Sequence, residues 1–334
     1  MTYPRSHLID RENGGFYHLI TRCVRQAWLC GKDPVTGRSF DHRRQWIEDR
    51  MLKLATCFTV ELYAYAVMSN HYHIVLHVDP KAALELSDKQ VAKRWVTLCP
   101  PTRYGEVDEG RIDSWVEALM NDPKRVEVCR RRLGDLSWFM RFMNEHIARR
   151  ANAEDGCTGR FWQGRFESNV LLDERAAYSC MVYVDLNPIR AGITNQLEKS
   201  EHTSVKRRID LAEESLTTAD LLAAPLRPLN DSLHRHTPRL EISLGNYLAL
   251  VDWTGRIVRD DKAGAIPSGV VSVVDSFGSG IDVWLPQVLE HREPNRRAFG
   301  AAEAMKALAK RIGQHWLKGS GQARLRPSAT AGYC

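Results

Sequence analysis

Apolar and polar positions alternate with a period of two in three stretches of the N-terminal half. After the Gly14-Gly15 break, FYHLITRCV at 16–24 is rich in β-branched and aromatic residues and predicts a strand. FTVELYAYAVM at 58–68 and HYHIVLHV at 71–78, joined by a short Ser-Asn connection, predict an antiparallel hairpin. Between them, DHRRQWIEDRMLKLAT at 41–56 places Trp46, Met51, Leu52 and Leu54 near helical spacing, with charge on the remaining face.

The period changes after Asp79-Pro80. Val91, Trp95 and Leu98 share a helical face before Pro100-Pro101 stops the element, and TRYGEVDEG at 102–110 reads as a loop. Helices follow at 111–120 and 123–133. A stronger one begins near 135, where Leu136, Met140, Met143 and Ile147 lie at i, i+4, i+7 and i+11. Together these make a helical insertion at about 81–156. GRFWQGRFES at 159–168 is short, basic and aromatic, NVLL at 169–172 predicts a strand, and DERAAYSCMVYVDLN at 173–187 predicts a helix closed by Pro188. Beyond Gly192 the pattern weakens, so a soft boundary falls near residue 200. The region 201–334 is an extension without assigned chemistry. It contains YLALVDWTGRIV at 247–258, a Gly/Ser-rich 264–280 and an amphipathic 301–319. Within it, Asp252-Trp253-Thr254-Gly255-Arg256 reads as a turn between two strands.

Composition narrows the class. A chain of 334 residues with 43% hydrophobic and 26% charged residues is globular, and no apolar run approaches the roughly 18 residues of a membrane span. The N-terminal MTYPRSHLIDREN lacks the apolar stretch of a signal peptide, so a cytoplasmic protein without membrane association is expected. A net charge of +6 is only a weak pointer to nucleic acid. The eight cysteines include no CxxC pair, so none is given a role.

The chemistry concentrates in two places. On a strand at 71–78, His71, His73, Val75 and His77 share one face while Tyr72, Ile74 and Leu76 point to the other. Histidines at i and i+2 bring two imidazoles within reach of one divalent ion, although many such pairs hold no metal. On the helix at 173–187, Tyr183 and Asn187 are four apart and share a face. A phenol can attack phosphorus when a metal or base assists, and a carboxamide oxygen can complete a metal's shell. Core packing with a C-terminal cap is the plainer reading of such a pair taken alone.

Taken in order, MSNHYHIVLHV, GRFWQGRFES and VYVDLNPIRAGI resemble the HUH single-tyrosine transposases, most closely the REP-associated tyrosine transposases of bacteria. The resemblance covers about residues 14–195. It implies an α+β fold with a ferredoxin-like antiparallel sheet, the HUH strand central and the tyrosine helix packed against it. It implies that His71 and His73 are metal ligands, that Tyr183 is the nucleophile and that Asn187 is the third ligand, where relatives use Gln. It assigns Arg160, Trp162, Gln163, Arg165 and Phe166 to positioning DNA. The cofactor implied is a divalent Mg or Mn ion, and the partner is single-stranded or hairpin DNA, with a homodimer as the assembly of many relatives. The implied activity is that of a single-strand endonuclease and strand transferase on palindromic, REP-like repeats, through a 5′-phosphotyrosine. His77, in phase with the ligands, is a weaker candidate.

Nucleic-acid binding adds Arg130, Arg131, Arg132, Arg149 and Arg150 beside Trp138 and Phe161 as a second basic and aromatic group. Lys206, Arg207 and Arg208 are candidates for a hairpin stem. Two rivals are a non-catalytic DNA-binding or repressor protein that kept the fold, and a zinc-dependent hydrolase built on His71, His73 and His77. The second leaves Tyr183 and Asn187 without a purpose.

Overall fold

The computed structural model describes residues 5–24, 29–33, 36–214, 220, 224–229, 242–258, 268–276 and 280–321. Its centre is a five-stranded sheet of β1 (Gly15–Arg22), β2 (Val60–Val67), β3 (His71–Val78), β4 (Glu167–Leu171) and β5 (Ala298–Phe299). The spatial order is β2-β3-β1-β4-β5. The first four pair antiparallel, and β5 adds to β4 in parallel. A helix α1 (His42–Cys57) joins β1 to β2, and a second crossover joins β3 to β4. That is the ferredoxin-like order, and the fold class is α+β as expected. The expected strand at 71–78 is found with those bounds, whereas the ones at 16–24 and 58–68 end one or two residues short.

Register follows from alternation. Tyr17, Leu19, Tyr72, Ile74, Leu76 and Tyr65 face a core shared with Ile47, Met51 and Leu54 of α1 and with Phe139, Met143 and Ile147. Phe16, Ala64, Ala66, Val75 and Leu171 face the other core. A bulge between Leu62 and Ala64 puts Tyr63 and Ala64 on the same side, which is how β2 serves both cores despite its odd spacing.

The insertion holds α2 (Asp88–Leu98), α3 (Ile112–Met120), α4 (Pro123–Leu133) and α5 (Leu136–Glu154). Each start is chemically marked. Ser87 and Gln90 form a capping box on α2, Asp122 accepts from Arg125 N at 3.0 Å with Pro123 beginning α4, and Asp135 caps α5. The expected loop at 102–110 contains a small ribbon, Thr102–Arg103 with Glu106–Val107. Tyr104 (φ 53°) and Gly105 (φ 88°) turn it with two left-handed residues, the geometry of a tight hairpin.

Helix α6 (Glu174–Asp185) lies across the second face of the sheet, capped by Asp173, which accepts from Ala176 N at 2.8 Å. From Arg175 to Asp185 every residue is buried, so the helix is enclosed on all sides. Pro188 does not close it. Asp185 ends α6, and Pro188 sits in the first turn of a short helix Asn187–Arg190, where its missing N–H costs nothing.

What encloses α6 comes largely from beyond residue 200. Alpha helices α7 (Ser204–Glu213), α8 (Leu244–Val258), α9 (Ser268–Ser276), α10 (Ile281–Glu290) and α11 (Ala302–Arg311) follow. Tyr247, Leu250, Val251, Trp284 and Val288 join the α6 core, and β5 extends the sheet. The region after 200 is therefore continuous with the core in packing. The stretch at 252–256 is helical, not a turn between strands, because Tyr247, Leu250, Val251 and Thr254 repeat at helical spacing against α6. Gly255 lets α8 approach Leu186, whose Cδ2 would lie 2.9 Å from an added Cβ. Of the Gly/Ser-rich 264–280, the described part forms α9, and 264–267 and 277–279 lie outside the described residues. The amphipathic 301–319 is helical over Ala302–Arg311. No helix among the described residues is long and apolar enough to cross a membrane.

A glycine is required where β1 begins. Gly14 has φ +74°, and a Cβ there would stand 1.9 Å from the Val78 carbonyl oxygen at the end of β3. Gly14→Ala is expected to lower stability by more than about 2 kcal/mol, combining left-handed strain with a backbone clash. Thermal unfolding of the pair of proteins checks it, and a variant as stable as the parent would contradict the β1–β3 register at this end.

Candidate functional site

Register brings β1 and β3 side by side so that Ile20 stands opposite His73, Arg22 opposite His71 and His18 opposite Val75. All of these share the face covered by α6. His18 and His73 are buried and meet directly, His18 Nε2 lying 2.9 Å from His73 Nδ1 with the rings stacked. The His71 ring is 4.8 Å from that of His73, measured between centroids. Tyr183 of α6 descends onto this pair. Its ring is 5.9 Å from His73 and 6.0 Å from His18, edge-on to both. His291, just past α10, closes the cluster at 5.8 Å from Tyr183, and Arg190 lays its guanidinium over the Tyr183 ring at 4.7 Å.

Burial dominates the electrostatics. It pushes His71 down to about 4 and His18 down to about 3, and it holds His73 and His291 well below the usual imidazole range. The Arg22 guanidinium acts in the same direction on His71 and His73, and Arg190 does so on His73. All four are neutral near pH 7, the form in which imidazole binds a metal.

The two predicted histidine ligands fit a divalent ion. His71 Nδ1 is 2.6 Å from Asn70 Oδ1, an acceptor, so Nδ1 carries the hydrogen and Nε2 keeps its lone pair. His73 has Nδ1 engaged with His18, while its buried Nε2 has no hydrogen-bond partner. Asn187 is brought beside Tyr183, but its Nδ2 donates to the Tyr183 backbone carbonyl at 3.1 Å. Its amide is thus turned toward the end of its own helix, in the manner of a cap.

His77 is elsewhere. Four residues of strand separate it from His73, about 13 Å. It packs against Phe16 at 4.8 Å between rings, and Glu61 Oε2 is 3.9 Å from Nδ1, beyond hydrogen-bond reach. The zinc hydrolase reading, which needs His71, His73 and His77 on one ion, is overturned by that separation. Burial lowers His77 to about 4. As the pH falls, the unfolded chain takes up this proton first, so the stability it confers is complete above about pH 6.5 and is lost down to about pH 4. His77→Gln is expected to flatten the slope of unfolding free energy in that window by about 1.4 kcal/mol per pH unit. Urea unfolding at several pH values measures it, and an unchanged slope would show that His77 titrates normally in the folded protein.

The segment 159–168 divides in two. Trp162 and Phe166 are buried in the first core, the Trp162 indole donating to Asn144 O at 2.8 Å, so neither offers a face on which a base could stack. Arg160, Gln163 and Arg165 are exposed. The aromatics anchor the segment, and Gln163 N donates to Arg22 O at 2.8 Å, which lays the exposed residues beside the His71 end of β1. The second basic group is on the opposite face of the sheet. Arg132 lies over Trp138 at 4.1 Å and Arg150 over Trp46 at 3.7 Å, and Trp138, Arg149 and Arg150 line a groove of about 700 Å³ away from Tyr183. Arg130 is tied to Asp88 and Glu127, and Arg208 is buried, donating to Tyr63 O and Arg227 O at 2.7 Å.

No family model and no curated protein matches the chain. A search of solved structures returns a REP-associated tyrosine transposase bound to a REP hairpin. Sequence identity is 12% and the TM-score 0.31, over 64% of this chain and 92% of that one. A likeness that slight decides nothing by itself, and the fold stated above rests on strand order and register.

Three members of the cluster were not singled out by sequence: His18, Arg190 and His291. His18 had a signal, since it alternates in phase with Phe16 and Ile20 on a strand whose neighbour carries the histidine pair. Arg190 lies seven residues, about two helical turns, past Tyr183 within the same motif. His291 had none.

Proposed function

We propose that this protein is a transposase-type endonuclease and strand transferase of single-stranded DNA, acting on hairpin-forming palindromic repeats through Tyr183. The observation that carries the reading is the seat of the Tyr183 ring against His73, with His71 alongside and Arg190 above. His71 and His73 would hold a magnesium or manganese ion, with Asn187 as third ligand only after its amide leaves the Tyr183 carbonyl. The ion, when bound, supplies Lewis-acid polarisation of the scissile phosphate.

The rest belongs to the chain. The Tyr183 oxygen forms a bond to phosphorus as the bond from phosphorus to the 3′ oxygen breaks, leaving a 5′-phosphotyrosyl link and a free 3′-hydroxyl. The phenol loses one proton and the departing 3′ oxygen gains one, so the step balances. A 3′-hydroxyl of another strand reverses it and restores Tyr183. Arg190 offsets negative charge on the phenol oxygen and the phosphate, and α6, buried on all sides, fixes the approach of the nucleophile. Arg22, Arg160, Gln163 and Arg165 would contact the strand at the His71 end through phosphates and base edges.

The second reading, a DNA-binding or repressor protein without chemistry, is favoured by one feature: the Asn187 amide is committed to the helix end. Single-stranded hairpin oligonucleotides from palindromes flanking the gene, incubated with Mn²⁺ or with a chelator, separate the two. Cleavage that appears only with Mn²⁺ and disappears in His71→Ala is expected. Tight binding to several such hairpins without cleavage would replace the enzyme reading with the binding one.

A further inference from the structure

Beneath Tyr183 lies a second group of donors that the transposase reading does not use. His18 of β1, Cys180 of α6 and His291 after α10 each place a ligand atom within 4.8 Å of the other two. All three are buried, His18 and Cys180 completely. On both histidines one ring nitrogen is held and the other is not: His18 Nε2 meets His73 and His291 Nε2 meets Ser179 Oγ at 3.0 Å, while both Nδ1 atoms are buried without a hydrogen-bond partner. Two orphaned imidazole nitrogens in one buried cluster are costly unless something bonds them. Fixing the far nitrogen by a hydrogen bond is also how proteins aim a ligating histidine.

We propose that His18, Cys180 and His291 form a zinc site, distinct from the His71–His73 pair. Two imidazoles and one thiolate are a donor set for Zn²⁺ and not for Mg²⁺ or Mn²⁺, which take oxygen-rich shells. Binding releases the Cys180 proton to solvent. The site ties three segments together: the sheet, the tyrosine helix and the chain leading into β5. The donors are spread over residues 18 to 291, which explains why cysteine spacing gave no sign of it.

One consequence rests on the transposase reading. The His18–His73 hydrogen bond holds one proton. A neutral His18 that ligates through Nδ1 carries its hydrogen on Nε2 and donates it to His73 Nδ1, so the His73 hydrogen moves to Nε2 and that nitrogen is lost as a ligand. Zinc at the inner site therefore weakens Mn²⁺ binding at the outer one, by about tenfold or more in calorimetry.

The test needs no DNA, so its outcome is independent of cleavage. Metal-free protein is titrated with Co²⁺ while the near-ultraviolet thiolate-to-cobalt charge-transfer band is followed, and Zn²⁺ is then added to displace it. The wild type is expected to develop the band to one ion per chain, His71→Ala to keep it, and Cys180→Ser and Cys180→Ala to lose it with their circular dichroism unchanged. No band in the wild type, or a band that survives in both Cys180 variants, would overturn the proposal.

Discussion

Tyr183→Phe is expected to abolish formation of a covalent protein–DNA adduct while leaving hairpin affinity within about twofold. The substitution removes one oxygen and keeps the ring that packs against His73 and under Arg190. Because the buried ring and its contacts persist, stability should change little, and the loss falls on chemistry alone. Removal of a nucleophile costs about a thousandfold or more, since none of the remaining groups can form the bond that stores the phosphodiester energy. Denaturing gels read the adduct, and filter binding reads the affinity. Adduct formation at the parental rate in Tyr183→Phe would move the nucleophile elsewhere.

The largest effect on stability is expected at Asp185, two residues on. Its Oδ1 accepts from Val205 N at 3.1 Å and from Ser204 Oγ, and its Oδ2 accepts from Tyr247 OH at 2.5 Å. One carboxylate thereby joins α6, α7 and α8 in a fully buried setting. Burial lifts its pKa to about 6, and the hydrogen bonds from Ser204 and Tyr247 oppose that rise. Asp185→Ala leaves Val205 N and Tyr247 OH buried without an acceptor, Ser204 Oγ keeping Tyr65 O at 3.3 Å, and opens a small void. A loss of about 3 to 5 kcal/mol is expected in urea unfolding, with the dependence on urea unchanged. Asp185→Asn keeps the shape and one carbonyl, and Tyr247 can turn to accept from the amide, so its loss should be about 1 kcal/mol. Equal losses in the two variants would show that volume, not hydrogen bonding, matters at this position.

The legible parts of the fold are those governed by local periodicity. Richness in β-branched and aromatic residues at 16–24 and in the two runs joined at Ser69-Asn70 located three strands, and side-chain alternation along 71–78 set the face on which His71 and His73 stand. Helical spacing located α1 and the insertion, because each of those helices buries one stripe on one core. Beyond residue 200 that rule fails for a physical reason. Helix α8 packs against α6 and α9 at once, so its apolar positions are spread around the helix and mimic a pair of strands. Strand β5 has two residues and gains its identity only from β4, which no window on the sequence can show. The site divides in the same way. Alternation along one strand put His71 and His73 on one face, whereas Tyr183 and Asn187 were singled out as a site by the family resemblance and not by their spacing alone. His291 reaches the cluster only through the tertiary path of the last 130 or so residues, and the buried Trp162 and Phe166 show that an aromatic beside an arginine is as readily an anchor as a stacking surface.

In the proposed reaction Tyr183 becomes covalently linked to the 5′ side of a cut strand. Hairpin DNA labelled at its 3′ end in one sample and at its 5′ end in another, reacted with Mn²⁺ and followed by peptide mass spectrometry, tests it directly. The 3′-labelled piece is expected to travel with the protein, the 5′-labelled piece to be released with a free 3′-hydroxyl, and the modified peptide to carry its nucleotide on Tyr183. Release of both labels with no modified peptide, or a nucleotide on any other residue, would contradict it.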